Sequence, residues 1–340
     1  MAFAFWRPNQ VDEIATYSLF GKLPQRADFV RVNATVPVAC EYDQLLAESI
    51  TNLTLDMGWE SAYDATGASL FAYRSRDRQS WFVGGQHPSR DQQSRRFPLV
   101  AGVARSASEI GVNLPLLPLA YEVFYSGLLG HLDNAVENSV DAVSCRSFLE
   151  GFVGTTNQTG TDFELADGLL QQFLSGHDAM YLQSILRMAY PYAELEQALL
   201  NIAFYANFVR HFQHQVTAQE IVLPLPNKQG TAALVASVWL SLIGYLAGDI
   251  GRIAGFFFRD DFIVIALDIF SDQFSPLLPL THSAKVRGLM LTSEHETWRA
   301  HPFYPEISYA LTRLVADSGA SLQSVFDCTK QVGNRLISSE

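Results

Sequence analysis

Ser69-Leu70-Phe71-Ala72-Tyr73-Arg74, then Trp81-Phe82-Val83-Gly84, then Phe97-Pro98-Leu99-Val100-Ala101-Gly102-Val103-Ala104 are three short runs rich in aromatic or aliphatic residues and parted by polar turns. Such runs, bounded by turn formers, read as strands. Their order predicts a small antiparallel meander whose last connection carries a dense arginine loop. Upstream, Pro37 can open a helix over Val38 to Met57, with Leu45, Leu46, Ile50, Leu53 and Leu55 on a partly periodic apolar face. Downstream, from about Leu116 to His214, the pattern turns helical. Thr161 with Glu164 is a capping-box signature, followed by Phe163, Leu165, Leu169, Leu170 and Phe173. Pro191 can start a further helix, in which Leu195, Leu199, Ile202, Phe204, Tyr205 and Phe208 share a broad face. Phe256–Phe258 and Phe262–Leu267 read as buried strands joined by Arg259-Asp260-Asp261, and Ile307–Val315 and Leu322–Ile337 as terminal helices. A sheet with helices on both sides places the chain in the α/β class, as a layered α/β/α sandwich with a mixed, largely antiparallel sheet and a helical insertion. The expected division is one domain over 1–280, containing the helical segment about 116–214, and a C-terminal helical extension over 281–340. Pro224-Leu225-Pro226-Asn227-Lys228 offers an alternative boundary near 226.

At 340 residues the chain is long enough to bury a large core, and 48% hydrophobic with 17% charged residues is globular composition. A net charge of -12 repels phosphate backbones at long range, which disfavours nucleic acid as a partner. Cys40, Cys145 and Cys328 lie far apart and form no CxxC pair, a pattern that fits a reducing compartment. Met1 to Trp6 is too short for an export signal before Arg7, Pro8 and Asn9 interrupt it, so the expected location is the cytoplasm. Between Lys228 and Asp249 there is no charge, and Ala232 to Leu246 is largely apolar. A spanning helix needs about 20 predominantly apolar residues. Thr231, Ser237, Ser241, Gly244 and Gly248 dilute this run, which therefore reads as a buried element without membrane insertion.

Two short words flank the meander. Phe20-Gly21-Lys22-Leu23-Pro24 runs into Ala27-Asp28-Phe29-Val30-Arg31, and it is answered by Pro88-Ser89-Arg90-Asp91 and Arg95-Arg96-Phe97-Pro98-Leu99. Together they resemble the TagF/ImpM family associated with bacterial type VI secretion systems. The matching positions are Gly21, Lys22, Leu23, Pro24, Asp28, Phe29 and Arg31 in the first word, and Pro88, Ser89, Asp91, Arg95, Phe97, Pro98 and Leu99 in the second. One position departs: the family usually has glycine before the arginine, and this chain has Ser94, which suggests a loop that tolerates a side chain. Ser237-Val238-Trp239 with Phe274, Leu277 and Leu278 is a looser echo of the end of the family domain.

The resemblance implies a non-catalytic cytoplasmic protein that negatively regulates assembly or firing of the secretion apparatus, after translation and through protein contact. It further implies a forkhead-associated scaffold protein of the system as partner, and no cofactor. Some relatives are joined to a serine/threonine phosphatase domain, whose metal-binding pattern this chain lacks.

Physically, a flexible glycine beside a fixed-φ proline, anchored by Phe29, can hold one loop shape. Asp28, Arg31, Asp91, Arg95 and Arg96 can then form a charge network between the two words, because the arginine fork matches a carboxylate. Three uses of that network stand side by side. It staples the domain; or its loops present Lys22, Arg90 and Arg96 to a protein; or Asp28, Arg31, Asp91 and Arg95 form an anion pocket for a small ligand or an enzyme's substrate. A structural subunit of the secretion complex is a further alternative. Arg74, Arg76, Arg78, Arg90, Arg95, Arg96 and Arg105 also crowd one region of an acidic chain, and Arg74, Arg76, Arg78 and Arg90 are the candidate docking residues.

Nucleophile elbow, phosphate loop, zinc helix and dinucleotide fingerprint are all missing from the sequence. His211 and His214 are three residues apart, as two ligands on one helix face would be, with Glu294-His295-Glu296 and His301 as conceivable third ligands. Surface or capping histidines fit them better, so no metal site is expected. Asp260-Asp261 fits a turn better than a paired acid and base. His87, His131, His177 and His282 read as isolated.

Overall fold

The structure is a computed structural model that describes residues 17–55, 57–138, 142–155, 159–211, 221–228, 230–259, 261–267, 296–317 and 319–337. Eight strands form one sheet: β1 (Tyr17–Gly21), β2 (Val30–Val32), β3 (Ser69–Arg74), β4 (Ser80–His87), β5 (Leu99–Ser106), β6 (Ile221–Pro224), β7 (Ile253–Phe258) and β8 (Phe262–Leu267). Their order is β2-β1-β5-β4-β3-β7-β8-β6, and every pairing is antiparallel. The expected α/β layering is present, with a fully antiparallel sheet in place of a mixed one among the described strands.

Helices cover both faces. On one lie α1 (Pro37–Leu53) and α2 (Trp59–Asp64). They are followed by α3 (Ala107–Ile110), α4 (Leu117–Ala120), α5 (Glu122–Glu137), α6 (Val143–Thr155), α7 (Thr159–Gly176), α8 (Ala179–Ala189), α9 (Leu195–His211), α10 (Thr231–Leu246), α11 (Glu296–Arg299), α12 (Tyr304–Ala316) and α13 (Leu322–Ile337). Strand alternation feeds two cores. Phe20, Phe71, Phe82 and Phe257 point toward Tyr42 and Leu46 of α1. Leu19, Leu70, Val83 and Leu99 point the other way, into a larger cluster with Leu128 of α5 and Trp239 of α10.

α1 stops at Leu53, where the Thr54 amide donates to the Ile50 and Asn52 carbonyls, and so falls short of the expected Met57. Leu55 and Met57 are consequently exposed. β5 begins after Pro98, which has no N–H to give to a ladder. α7 starts at Thr159, two residues ahead of the expected cap position at Thr161. Pro191 sits in the turn before α9, whose first residue Leu195 donates its amide to Gln183 Oε1 at 2.6 Å.

α10 is buried along nearly its whole length, and no single described helix is long and apolar enough to cross a membrane. α12 and α13 share the larger core through Ile307, Leu311, Leu322, Val325 and Leu336. A Cβ on Gly333 of α13 would lie 1.9 Å from the Tyr245 carbonyl oxygen, which shows how closely α13 crosses α10. The expected boundary at 280–281 and the family echo at Phe274, Leu277 and Leu278 lie outside the described residues.

Candidate functional site

The two motif words meet at one end of the sheet, because β1 pairs with β5 and the β4–β5 connection folds back over the end of β1. Gly21 has φ 128°, and a Cβ there would lie 2.0 Å from the Pro98 carbonyl oxygen. Glycine is therefore required at that crossing. Beyond it Leu23 is buried, and the Arg26 amide donates to the Leu23 carbonyl at 3.0 Å, closing a turn with Pro24 in its second position.

Asp91 is the hub. Its side chain is buried, and its Oδ2 lies 3.0 Å from Lys22 Nζ and 2.7 Å from Arg95 Nε. Its Oδ1 accepts the Gln93 and Arg95 amides, each at 2.9 Å. Arg95 also donates through Nη2 to the Ala27 carbonyl at 2.8 Å, and Lys22 Nζ to the Arg95 carbonyl at 3.3 Å. Burial pushes the Asp91 carboxyl upward. The Arg95 amide, the Lys22 ammonium, the Arg95 guanidinium and the Gln93 amide outweigh it and hold the group well below the usual carboxylate range. Ser94 closes the loop with φ 61°, the left-handed backbone that the family's glycine would favour.

Phe29 stands over this hub. Its ring meets Phe97 edge-on at 4.9 Å and lies 5.1 Å from Lys22 Nζ and 5.6 Å from the Arg31 guanidinium, yet it is 42% exposed. Arg31 pairs with Asp43 of α1 at 3.0 Å. Arg96 grips Asp64 of α2 through two bonds of 2.6 and 2.9 Å, reaches Glu60 at 3.4 Å and lies over Trp59. The Arg96 bonds hold the Asp64 carboxyl low. Ser89 exchanges backbone bonds with the buried Tyr63 hydroxyl at 3.1 and 3.2 Å.

Of the expected network only Asp91 and Arg95 pair with each other, and Lys22, which is not one of its expected members, joins them, while Arg31 and Arg96 turn to carboxylates of α1 and α2. Asp28 is exposed and stands outside the network. None of Asp28, Arg31, Asp91 and Arg95 lines either of two cavities, of about 570 and 310 Å³, found among the described residues. Asp43, Glu60 and Asp64 escaped the sequence reading. The available signal for α2 was Trp59-Glu60 recurring as Tyr63-Asp64 four residues on, one turn of a helix face.

The arginine crowd is not one patch. Arg76 and Arg78 sit in the β3–β4 turn, with Arg74 and Arg105 at the strand ends beside it. Arg90, Arg95 and Arg96 lie at the far end of β4, about 25 Å away by strand rise. Nearness in sequence across a hairpin strand becomes separation in space. Arg74 lies over Trp81 and donates to the Gly251 carbonyl, and the Arg76 amide donates to Glu41 at 2.9 Å.

His87 is not isolated. Its Nδ1 donates to the Pro88 carbonyl at 2.7 Å, and its Nε2 lies 3.6 Å from Asp133 and 3.7 Å from Glu137 of α5. His214, Glu294 and His295, and the side chains of His211 and Glu296, fall outside the described residues, as does Asp260. His301 packs its ring 5.1 Å from Phe204. Among the described residues no group of three His, Cys, Asp or Glu side chains is placed to hold a metal ion.

Residues 18–152 match the TagF N-terminal domain, described as type VI secretion system-associated. No curated protein matches the chain. The crystal structure of PA0076 from Pseudomonas aeruginosa PAO1, at 2.05 Å resolution, is similar over 34% of this chain and 53% of that one, with 23% identity and a TM-score of 0.27. The match spans about half of that protein's length.

Proposed function

We propose, from the premise that residues 18–152 are a TagF N-terminal domain, that this chain is a non-catalytic, cytoplasmic negative regulator of type VI secretion, acting after translation by protein contact. The observation that carries this reading is the orientation of the motif. Three of its charged groups, Lys22, Asp91 and Arg95, are engaged with one another, while Arg31 and Arg96 are taken by Asp43 and Asp64. Over the hub lies the partly exposed ring of Phe29, with Lys22 and Arg31 against it; the Arg31 and Arg95 side chains are 52% and 54% exposed, and Arg90 of the same connection is exposed. Aromatic and arginine side chains held rigidly at a surface are the favoured anchors of protein interfaces. A forkhead-associated scaffold protein of the secretion system is the partner this reading takes, and the chain acts by occupying its surface.

Deleting the gene raises secretion, and overproducing the chain lowers it. Secretion that is unchanged in both strains removes the regulatory assignment.

A further inference from the structure

The larger cavity, about 570 Å³, lies mostly beyond residue 152 and has no part in the motif. It opens between α7, α10, α13 and the 3-10 segment Gly111–Leu116. Its floor is apolar, from Phe163, Leu170, Leu116 and Phe326. Its rim is acidic: Glu164 and Asp167 come from α7, and Asp327 from α13. None of these carboxylates is in an ion pair among the described residues. Asp167 and Asp327 accept only from the neutral amides of Gln171 and Gln323, at 3.4 and 3.2 Å. Tyr245 stands in the wall, its ring packed edge-on against Phe326 at 5.8 Å. Burial raises its hydroxyl first, and then the Asp167 and Asp327 charges do, so both carboxylates act on the same space. The one lining cation, Lys330, lies 5.8 Å over the Tyr245 ring, which shows that this wall accepts an ammonium on its face.

We infer that this groove docks a short basic, amphipathic segment of a partner protein, with Lys or Arg meeting Glu164, Asp167 and Asp327 while apolar neighbours fill the floor. The volume suits a ligand-sized insert. Charge complementarity selects a basic occupant and speeds its encounter. A second copy of the chain is disfavoured as occupant, because a body of net charge -12 repels its own kind at long range.

The test is fluorescence anisotropy with the full chain and two labelled, capped pentapeptides, Leu-Arg-Phe-Arg-Leu and its counterpart with citrulline at both arginine positions. The basic peptide binds saturably, and the citrulline peptide at least tenfold more weakly. Asp167→Asn with Asp327→Asn weakens the basic peptide at least tenfold while circular dichroism and the melting temperature hold. Lys330→Met, which removes the resident cation from the Tyr245 face, tightens it severalfold. Equal binding of the two peptides, no saturable binding of either, or full affinity in the double Asn variant overturns the proposal. So does concentration-dependent self-association of the chain that the double Asn variant abolishes. None of these results bears on secretion control through the Phe29 face, which lies on different elements.

Discussion

Lys22 Nζ and Asp91 Oδ2 lie 3.0 Å apart with both side chains buried, so the end of β1 is tied to the β4–β5 connection by an ion pair that water scarcely reaches. Removing Asp91 leaves the Lys22 ammonium buried and the Gln93 and Arg95 amides without an acceptor. Asp91→Ala is therefore expected to cost about 3–5 kcal/mol of unfolding free energy, measured by urea denaturation. Lys22→Met costs less, because Arg95 and the two amides still hold the carboxylate.

The pH dependence of that loss follows from the lowered Asp91 carboxyl. A carboxyl whose value falls on folding stabilises the protein above its unfolded value, about 3.9 for Asp, and that stabilisation fades as pH drops toward the folded value. The gap in unfolding free energy between the parent and Asp91→Ala stays constant from neutral pH to about 5 and narrows below about 4. Other acidic groups titrate in both proteins and cancel in the difference. A gap that widens on acidification would contradict the geometry of the hub.

Gly21→Ala forces a Cβ to 2.0 Å from the Pro98 carbonyl oxygen at φ 128°, where no side chain can swing aside. Gly58 has φ 80° but nothing within 4 Å of its would-be Cβ, so Gly58→Ala carries backbone strain alone, of order 1–2 kcal/mol. Thermal denaturation is expected to rank Gly21→Ala far below Gly58→Ala, with the first yielding little soluble protein.

Ser94 offers the opposite change. It holds φ 61° with a side chain, in the place where the family has glycine, so Ser94→Gly is expected to stabilise the chain by about 0.5–1 kcal/mol. A lower melting temperature for Ser94→Gly would show that the serine side chain supports the loop.

Where apolar runs are continuous and bounded by turns, elements could be read from the chain directly. Ser69–Arg74, Phe262–Leu267 and Leu322–Ile337 have the bounds that their runs imply. β1, β2 and β6 could not be read that way. They have five, three and four residues, β6 ends in Pro224, and each is a strand only because a neighbour supplies its ladder. The hub was legible as residue types, since Lys22, Asp91 and Arg95 lie in two words of matching chemistry. Their pairing pattern was not: Asp43 and Asp64, which take Arg31 and Arg96, belong to helices that only the sheet's layering brings alongside. The division of the arginines between two ends of β4 is likewise a property of the antiparallel meander and of no local stretch.

The most direct measurement of the central claim is secretion in a strain whose chromosomal copy carries Phe29→Ala, Arg31→Glu and Arg90→Glu, with Arg76→Glu and Arg78→Glu at the far end of the sheet as the control. With chain levels and melting temperature matched to the parent, the motif-end variant is expected to secrete like a deletion strain, while the control remains repressed. Full repression by a folded motif-end variant would contradict the claim that this face carries the regulation.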